Sequence, residues 1–289
     1  GKSHLQSFLF SKKKYTIYLY DKNKNTDSSV KTLDTKNTKI INLKKFPTSL
    51  KFDLAIVSTN SLERFVIIKK LINHNKVKFL ILEKFIFTKD IHYKKAKFFL
   101  KRRSSKLFIN VWGGLIAHLL KIKIDKRKKI FFDVKIREGR MITNAIHYLD
   151  LFGFLTIKEI DISVFVKKVI KSKRKKYSEI LGQILGSNKI GKIKITSQKN
   201  LTDKITIYNG DNKYLIKIAY KNKCYLYKNS EFIRAIDFPF SYIYTRKIFE
   251  NYFLNNKNRQ VFSNFDFVYD TSDKIVQFLK KDNKQIYIT

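Results

Sequence analysis

The sequence predicts a doubly wound α/β N-terminal domain followed by an α+β domain with an open, mostly antiparallel sheet. Three observations predict this. Helical patterns and short apolar strands alternate up to about residue 111. Those strands lack polar alternation, as strands buried on both faces of a parallel sheet do. Beyond that point most strands alternate in polarity and some are separated by tight turns, the pattern of hairpin-linked antiparallel sheets. The expected domains are therefore 1–111 and 112–289.

Residues 4–10 place Leu5, Phe8 and Leu9 on one helical face. Residues 15–20 (YTIYLY) are β-branched and aromatic and read as a strand ending at Asp21. A polar loop is expected over 22–36 and a short strand over 39–43. Residues 52–57 (FDLAIV) form an apolar strand, punctuated by Ser58, Thr59, Asn60 and Ser61. Ser61 is placed as the cap of the next helix, with Glu63 favouring its first turn. Leu62, Phe65, Val66, Ile68, Leu71 and Ile72 are the apolar residues of that helix. The strand over 77–82 (VKFLIL) runs into Glu83 and Lys84. A helix over 90–102 and a strand over 107–111 complete the first domain, each parallel crossover being right-handed.

In the second domain the patterns give a helix over 112–121, a strand over 129–137 and a helix over 142–155. Strands follow over 159–169, 189–198, 204–209, 214–220 and 223–228. Helices over 242–255 and 272–281 close the chain. No internal repeat and no low-complexity linker is visible.

At 289 residues the chain has the length of about two domains, and 44% apolar residues supply a core, which excludes a disordered tail. No apolar run approaches the ~18 residues of a membrane helix, so no membrane partner is expected. One cysteine, Cys224, excludes an internal disulfide and a multi-cysteine zinc site. Without a secretory leader, a reducing cytoplasm is the expected location. The net charge of +39 raises a polyanion as partner. Against this, the bases are 52 Lys to 10 Arg, and they are spread along the whole chain. Recognition of bases and phosphates favours the arginine fork. The charge therefore reads as compositional drift, and nucleic acid is not the expected partner. The field would still help an anionic substrate or cofactor to arrive.

Four places carry residues with chemistry. Gly1 stands before a helix, and Asp21 ends the next strand 20 residues on. That is the spacing between a phosphate-loop glycine and a ribose-binding acid in a Rossmann-like dinucleotide unit, although an ordinary turn has the same appearance. Ser58, Thr59 and Asn60 follow a strand at the edge where open α/β sheets bind ligands; the other reading is a helix cap. Lys84 ends a strand and can hydrogen-bond a substrate oxygen, with Glu83 holding it; the other reading is an exposed ion pair. Thr143, His147 and Asp150 fall at i, i+4 and i+7, sharing a helical face. His147 can exchange a proton near neutrality, or it is a structural histidine among apolar neighbours. His4, His74, His92 and His118 have no comparable companions, and no metal site is expected.

Together these stretches resemble the Gfo/Idh/MocA family of nicotinamide-dependent oxidoreductases. Residues 1–5 (GKSHL) resemble the end of the family's glycine loop, and FDLAIVSTN resembles its strand ending in a small-hydroxyl turn. Leu82, Glu83 and Lys84 resemble its Glu-Lys-Pro motif, and residues 145–150 (AIHYLD) its His-x-x-Asp helix. The match covers roughly residues 1–155. The resemblance implies NAD or NADP as cofactor and reversible hydride transfer at a hydroxyl-bearing carbon of a sugar or sugar derivative, including sugar nucleotides. It implies Lys84 between nicotinamide and substrate, and His147 as acid/base or substrate-orienting group. It places Gly1, Asp21, Ser58, Thr59, Asn60 and Glu83 at the cofactor, and Thr143, Asn144 and Asp150 at the substrate. Asp21 favours NAD slightly, since a carboxylate repels a 2′-phosphate, with Lys22 and Lys24 offsetting it.

The departures point the other way. Phe85 replaces the motif proline, so the turn that aims Lys84 is expected to be looser. Thr143 stands where many members have Asp. The family's first strand and leading glycines do not precede Gly1, and the chain is expected to be a fragment. A catalytically degenerate nucleotide-binding protein is therefore the second reading, and a polyanion-binding protein the third. The open sheet needs a cover, so a homo-oligomer through the C-terminal sheet is expected.

Overall fold

The computed structural model describes residues 2–9, 11–22, 35–101, 106–172, 177–199, 202–219, 223–237, 246, 250 and 263–281. The expected loop over 22–36 and helix over 242–255 lie mostly outside the described residues, as does Gly1.

Helix α1 (Lys2–Leu9) buries Leu5 and Phe8, two positions of its apolar face. Strands β1 (Tyr15–Leu19) and β2 (Thr38–Asn42) pair in parallel. Then β3 (Lys51–Val57), α2 (Ser61–His74), β4 (Lys76–Glu83), α3 (Asp90–Lys101) and β5 (Lys106–Asn110) make two parallel crossovers, with β4 between β3 and β5. From Phe79 to Leu82, β4 is buried on both faces, as its unbroken apolar run predicts.

The start of α2 differs from expectation. Its cap is Asn60, whose Oδ1 accepts the Glu63 N–H at 3.1 Å, and Ser61 is the first helical residue. Asn60 holds the extended backbone that a cap requires, and Glu63 lies three residues on, in capping-box register with it. The buried face of α2 is Arg64, Ile68, Leu71 and Ile72. Val66 is 62% exposed because two helical steps turn it away from Arg64 and Ile68.

The second lobe begins with α4 (Gly113–Leu120), β6 (Ile130–Arg137) and α5 (Met141–Leu155). Seven strands follow: β7 (Asp161–Lys171), β8 (Ser178–Ser187), β9 (Gly191–Gln198), β10 (Asp203–Asn209), β11 (Asn212–Ala219), β12 (Lys223–Lys228) and β13 (Glu231–Asp237). They form one sheet with β6, in the order β13-β12-β11-β10-β6-β9-β8-β7. Every pair is antiparallel except β6–β9, which runs parallel. The alternation in β6 puts Ile130, Phe132, Val134 and Ile136 inside and leaves Phe131 on the open face. Helix α5 is apolar almost all round because it is covered almost all round, by the sheet on one side and helices on the other.

Strands β8 and β13 are additions to the sequence reading. Two glycines interrupt the pattern of β8 (SEILGQILGS). As the edge strand, β13 leaves Phe232 and Ile233 exposed and so lacks a clear apolar face. The chain then returns to the first lobe. β14 (Ser263–Asn264) pairs antiparallel with β5, and α6 (Phe265–Lys281) packs on α3 and α5. Helix α6 starts seven residues before the expected 272, and the added turns bury Phe265, Phe267, Val268 and Tyr269. Asp266 lies in the first turn, where a carboxylate meets the positive end of the helix dipole. Among the described residues, no helix is long and apolar enough to cross a membrane.

Phe132 is fully buried with its ring edge-on to Phe152 of α5 at 5.2 Å, whereas the adjacent Phe131 is 40% exposed. Phe132→Ala should therefore cost about 3–5 kcal/mol, and Phe131→Ala clearly less, on the order of the 1 kcal/mol that a cross-strand aromatic pair contributes. Urea denaturation of both variants checks this; similar losses would mean that the sheet does not face α5 as described.

Candidate active site

The C-terminal ends of the parallel strands β3, β4 and β5 bring Thr59, Lys84 and Asn110 to one edge of the sheet. In open α/β sheets the ligand crevice lies outside this edge. Helix α5, from the other lobe, meets it there. Lys84 Nζ donates to Asn144 Oδ1 at 2.7 Å, across 60 residues of sequence. Asn144 precedes His147 by one helical turn, and the Lys84 charge acts on the imidazole. Lys84, Asn144 and His147 are thus brought together.

His147 is 3% exposed and stacks on Trp112 at 4.3 Å between ring centroids. Burial first, and then the Lys84 charge, hold its pKa well below the usual imidazole value. The ring is neutral at physiological pH. The backbone N–H of Trp112 donates to its Nδ1 at 3.3 Å, so the ring proton is on Nε2. In this state His147 is a hydrogen-bond donor with no free basic nitrogen. Gly113 allows this stacking: a Cβ there would lie 2.4 Å from the His147 carbonyl oxygen and 2.2 Å from the Leu151 nitrogen.

The other expected residues divide. Glu83 does not serve as the holder of Lys84 that the sequence suggested. Its Oε1 accepts from His4 Nε2 and from Asn110 Nδ2, both at 2.7 Å. Burial raises the Glu83 pKa, but the bond and charge of His4, with Asn110 and Arg64, outweigh this and hold it at about 2. His4, which has no companion in sequence, therefore finds one 79 residues away. Asn60 is engaged as the cap of α2. Ser58 and Thr59 are half-buried at the strand edge. Asp21 is exposed just beyond β1, and the adjacent Lys22 pairs with Glu63 at 2.9 Å.

Asp150, which the resemblance places at the substrate, is instead engaged inside the protein: its Oδ2 accepts the Gly114 N–H at 3.0 Å, at the start of α4. Burial pushes its pKa up to about 7, against the opposing backbone bonds of Gly114 and Gly113. Thr143 donates its hydroxyl to the Arg140 carbonyl, and its N–H donates to Glu179 at 3.3 Å. Glu179 of β8, missed in sequence because its strand was missed, also accepts the Ile142 N–H at 2.9 Å and so caps α5. Its pKa is raised by burial, partly offset by Thr143, Ile142 and Lys84.

The turn after β4 is not loosened by Phe85. Arg64 of α2, 3% exposed, donates through Nη1 to the carbonyl oxygens of Glu83, Lys84, Phe85 and Ile86, and through Nη2 to that of Thr59. Its place in the i, i+4, i+7, i+8 stripe with Ile68, Leu71 and Ile72 was the sequence signal that it would be buried.

A cavity of about 410 Å³, lined by Lys14, Tyr15, Thr16, Asn37 and Thr38, lies at the N-terminal ends of β1 and β2. That is the wrong end of a parallel sheet for the chemistry, and the Lys84 edge is the better candidate. Among the described residues, no group of three His, Cys, Asp or Glu side chains is arranged to hold a metal ion. Among the described residues, Thr59 Oγ1, just beyond β3, and Asn110 Oδ1, at the end of β5, are buried without hydrogen-bond partners, on either side of β4. Unpartnered polar atoms along a carboxyl edge fit a ligand rich in hydroxyl and amide groups, which a nicotinamide dinucleotide is.

No family model matches the sequence, and a search of curated proteins finds no match. Solved structures do match along nearly the whole chain. UDP-N-acetylglucosamine 3-dehydrogenase GnnA from Acidithiobacillus ferrooxidans superposes with a TM-score of 0.69 at 13% identity, covering 96% of this chain and 94% of its own. Biliverdin reductase from Synechocystis, in complex with biliverdin and NADP+, gives 0.66 at 10% identity, covering 97% and 94%. A super-repressor mutant of Gal80p from Saccharomyces cerevisiae gives 0.65 at 14% identity, covering 98% and 92%. At such identity the likeness shows the fold alone: a parallel α/β lobe followed by a lobe built on a large, mostly antiparallel sheet.

Asp150 yields a pH prediction. With its pKa raised in the fold from about 4 to about 7, the folded chain holds more protons than the unfolded one in that window. The contribution of this group to stability is therefore complete below about pH 4 and falls as pH rises towards 7. Asp150→Asn should gain on the wild type steadily over that range when urea midpoints are compared. Parallel pH curves would contradict the burial of this carboxyl.

Proposed function

We propose that the protein is a nicotinamide-dependent oxidoreductase that moves a hydride to or from a hydroxyl-bearing carbon of a sugar or sugar derivative, including sugar nucleotides. The observation that carries this is the 2.7 Å contact between Lys84 Nζ and Asn144 Oδ1, which joins the carboxyl edge of one lobe to the buried His147 helix of the other. The likeness to a sugar-nucleotide dehydrogenase and to a reductase holding NADP+ supports the same reading.

Ser58, Thr59 and Asn110 would hold the cofactor along the strand ends. When bound, NAD or NADP supplies the hydride acceptor or donor. The chain's own residues manage the substrate oxygen. Lys84 Nζ handles the proton at that oxygen: in the reducing direction the ammonium gives it up as hydride arrives at carbon, and in the oxidising direction the neutral amine takes the hydroxyl proton as hydride leaves. His147 donates from Nε2 and orients the same oxygen, because its Nδ1 is engaged by Trp112. Asn144 aims Lys84. With Thr143 in place of an acid, no carboxylate relay on α5 assists His147, which leaves the proton transfer to Lys84. Asp21 gives NAD a slight advantage, since a carboxylate at that strand end opposes a 2′-phosphate.

NADH and NADPH binding by the purified protein, followed by turnover across a panel of sugar nucleotides, tests the proposal. Lys84→Ala should lower kcat by about 10²- to 10⁴-fold while leaving cofactor affinity nearly unchanged. His147→Asn should lower kcat by about 10²-fold, the cost of one aimed donor. A protein that binds neither cofactor is not this enzyme. One that binds a cofactor without hydride exchange belongs to the degenerate reading.

We also propose a homo-oligomer through the open face of the large sheet, where Phe131, Tyr208, Phe165 and Phe232 are exposed. Light scattering at micromolar concentration should give at least a dimer; a monomer would reject it.

A further inference from the structure

We propose that Arg64 is a positioning residue: its guanidinium fixes the turn that carries Lys84 against the loop after β3, the stiffening that a proline at position 85 would otherwise provide. The inference rests on the oxidoreductase reading only for its effect on turnover.

The geometry is specific. The carbonyl oxygens of Glu83 and Ile86 lie 2.9 and 3.1 Å from Arg64 Nη1, that of Lys84 at 3.5 Å, and that of Phe85 also accepts from it. Four consecutive carbonyls therefore curl around one nitrogen that has two hydrogens. Carbonyl dipoles converging in this way repel one another unless a cation sits at their focus. The buried guanidinium is that cation, and the dipoles in turn make up for its lost hydration. The Arg64 charge also acts on the adjacent Glu83 carboxylate.

The second arm of the fork reaches a different loop. Nη2 donates to the Thr59 carbonyl, just beyond the end of β3. Strands β3 and β4 are hydrogen-bonded neighbours, with Val57 opposite Leu82, so the loops that leave them are adjacent. One rigid, planar group thus ties the loop lining the cofactor edge to the turn that aims Lys84. A lysine at position 64 would keep the charge but lose the fork.

Phe85 cannot do this work. Its φ is not locked by a ring, and its side chain is fully buried and leaves the carbonyls of the turn unheld. Nor is Arg64 placed to bind a substrate phosphate, since Nη1 and Nη2 are directed at the carbonyl oxygens of the two loops.

Amide hydrogen exchange of Arg64→Met and Arg64→Lys, read by mass spectrometry, tests the proposal without a substrate. Peptides covering 84–88 should exchange at least tenfold faster in Arg64→Met, and by an intermediate factor in Arg64→Lys. Peptides from β9 and β10 should stay within twofold of the wild type. Unchanged exchange over 84–88, or equal acceleration throughout the chain, would overturn it. For turnover, kcat of Arg64→Met on whichever sugar nucleotide the wild type uses should fall at least tenfold, with turnover partly recovered in Arg64→Lys. In a Lys84→Ala background the same substitution should cost nothing further; an additional tenfold loss there would show that Arg64 does not act through Lys84. If the wild type binds neither NADH nor NADPH, the oxidoreductase reading fails, and the exchange data still decide the role of Arg64.

Discussion

The hydrogen bond from Lys84 to Asn144 depends on two backbones being held still at once. On one side, the last residues of β4 are buried on both faces, and the turn beyond them is gripped by the Arg64 guanidinium. On the other, α5 is enclosed by sheet and helices and capped at its start by Glu179. A lysine on a mobile turn would lose several rotatable bonds' worth of entropy in reaching a fixed acceptor. Here most of that ordering is done by packing before any ligand arrives, which is the arrangement that catalysis by positioning requires.

The electrostatics of the site follow from burial. His147 is kept neutral by desolvation and by a neighbouring cation, which makes it a donor in place of the titrating acid/base that its intrinsic pKa suggests. Glu83 goes the other way, because three donors or cations surround its carboxylate. Asp150 and Glu179 are shifted upward by desolvation, although each receives backbone N–H bonds from the start of a helix. Four titratable groups within one region are thus shifted in different directions, set by their neighbours more than by residue type.

Much of the architecture was legible. Unbroken apolar runs marked β3, β4 and β5, and alternation marked β6 and β9 to β12, because side-chain period reports directly on which faces are covered. Strands β8 and β13 were not, since glycines interrupt one and solvent meets both faces of the other. In the site, Lys84, Asn144 and His147 could be named from sequence, yet Asp150 proved to be an interior cap and Asn60 a helix cap. Arg64 carried a signal in the buried stripe of α2. His4 and Glu179 carried none, because each meets its partner across tens of residues or on a strand hidden by its composition.

The sequence by itself determined most of the alternation of helices and strands and the chemical types at the strand ends. These are local properties, fixed by periodicity and turn chemistry over a few residues. Only the tertiary structure decided which carboxylate meets which base, which nitrogen of His147 carries the proton, and what holds the Lys84 turn in the absence of proline. Those outcomes depend on burial and on contacts between distant segments. Energies of that kind vary steeply with distance and with the surrounding dielectric, and neither quantity exists until the chain has folded.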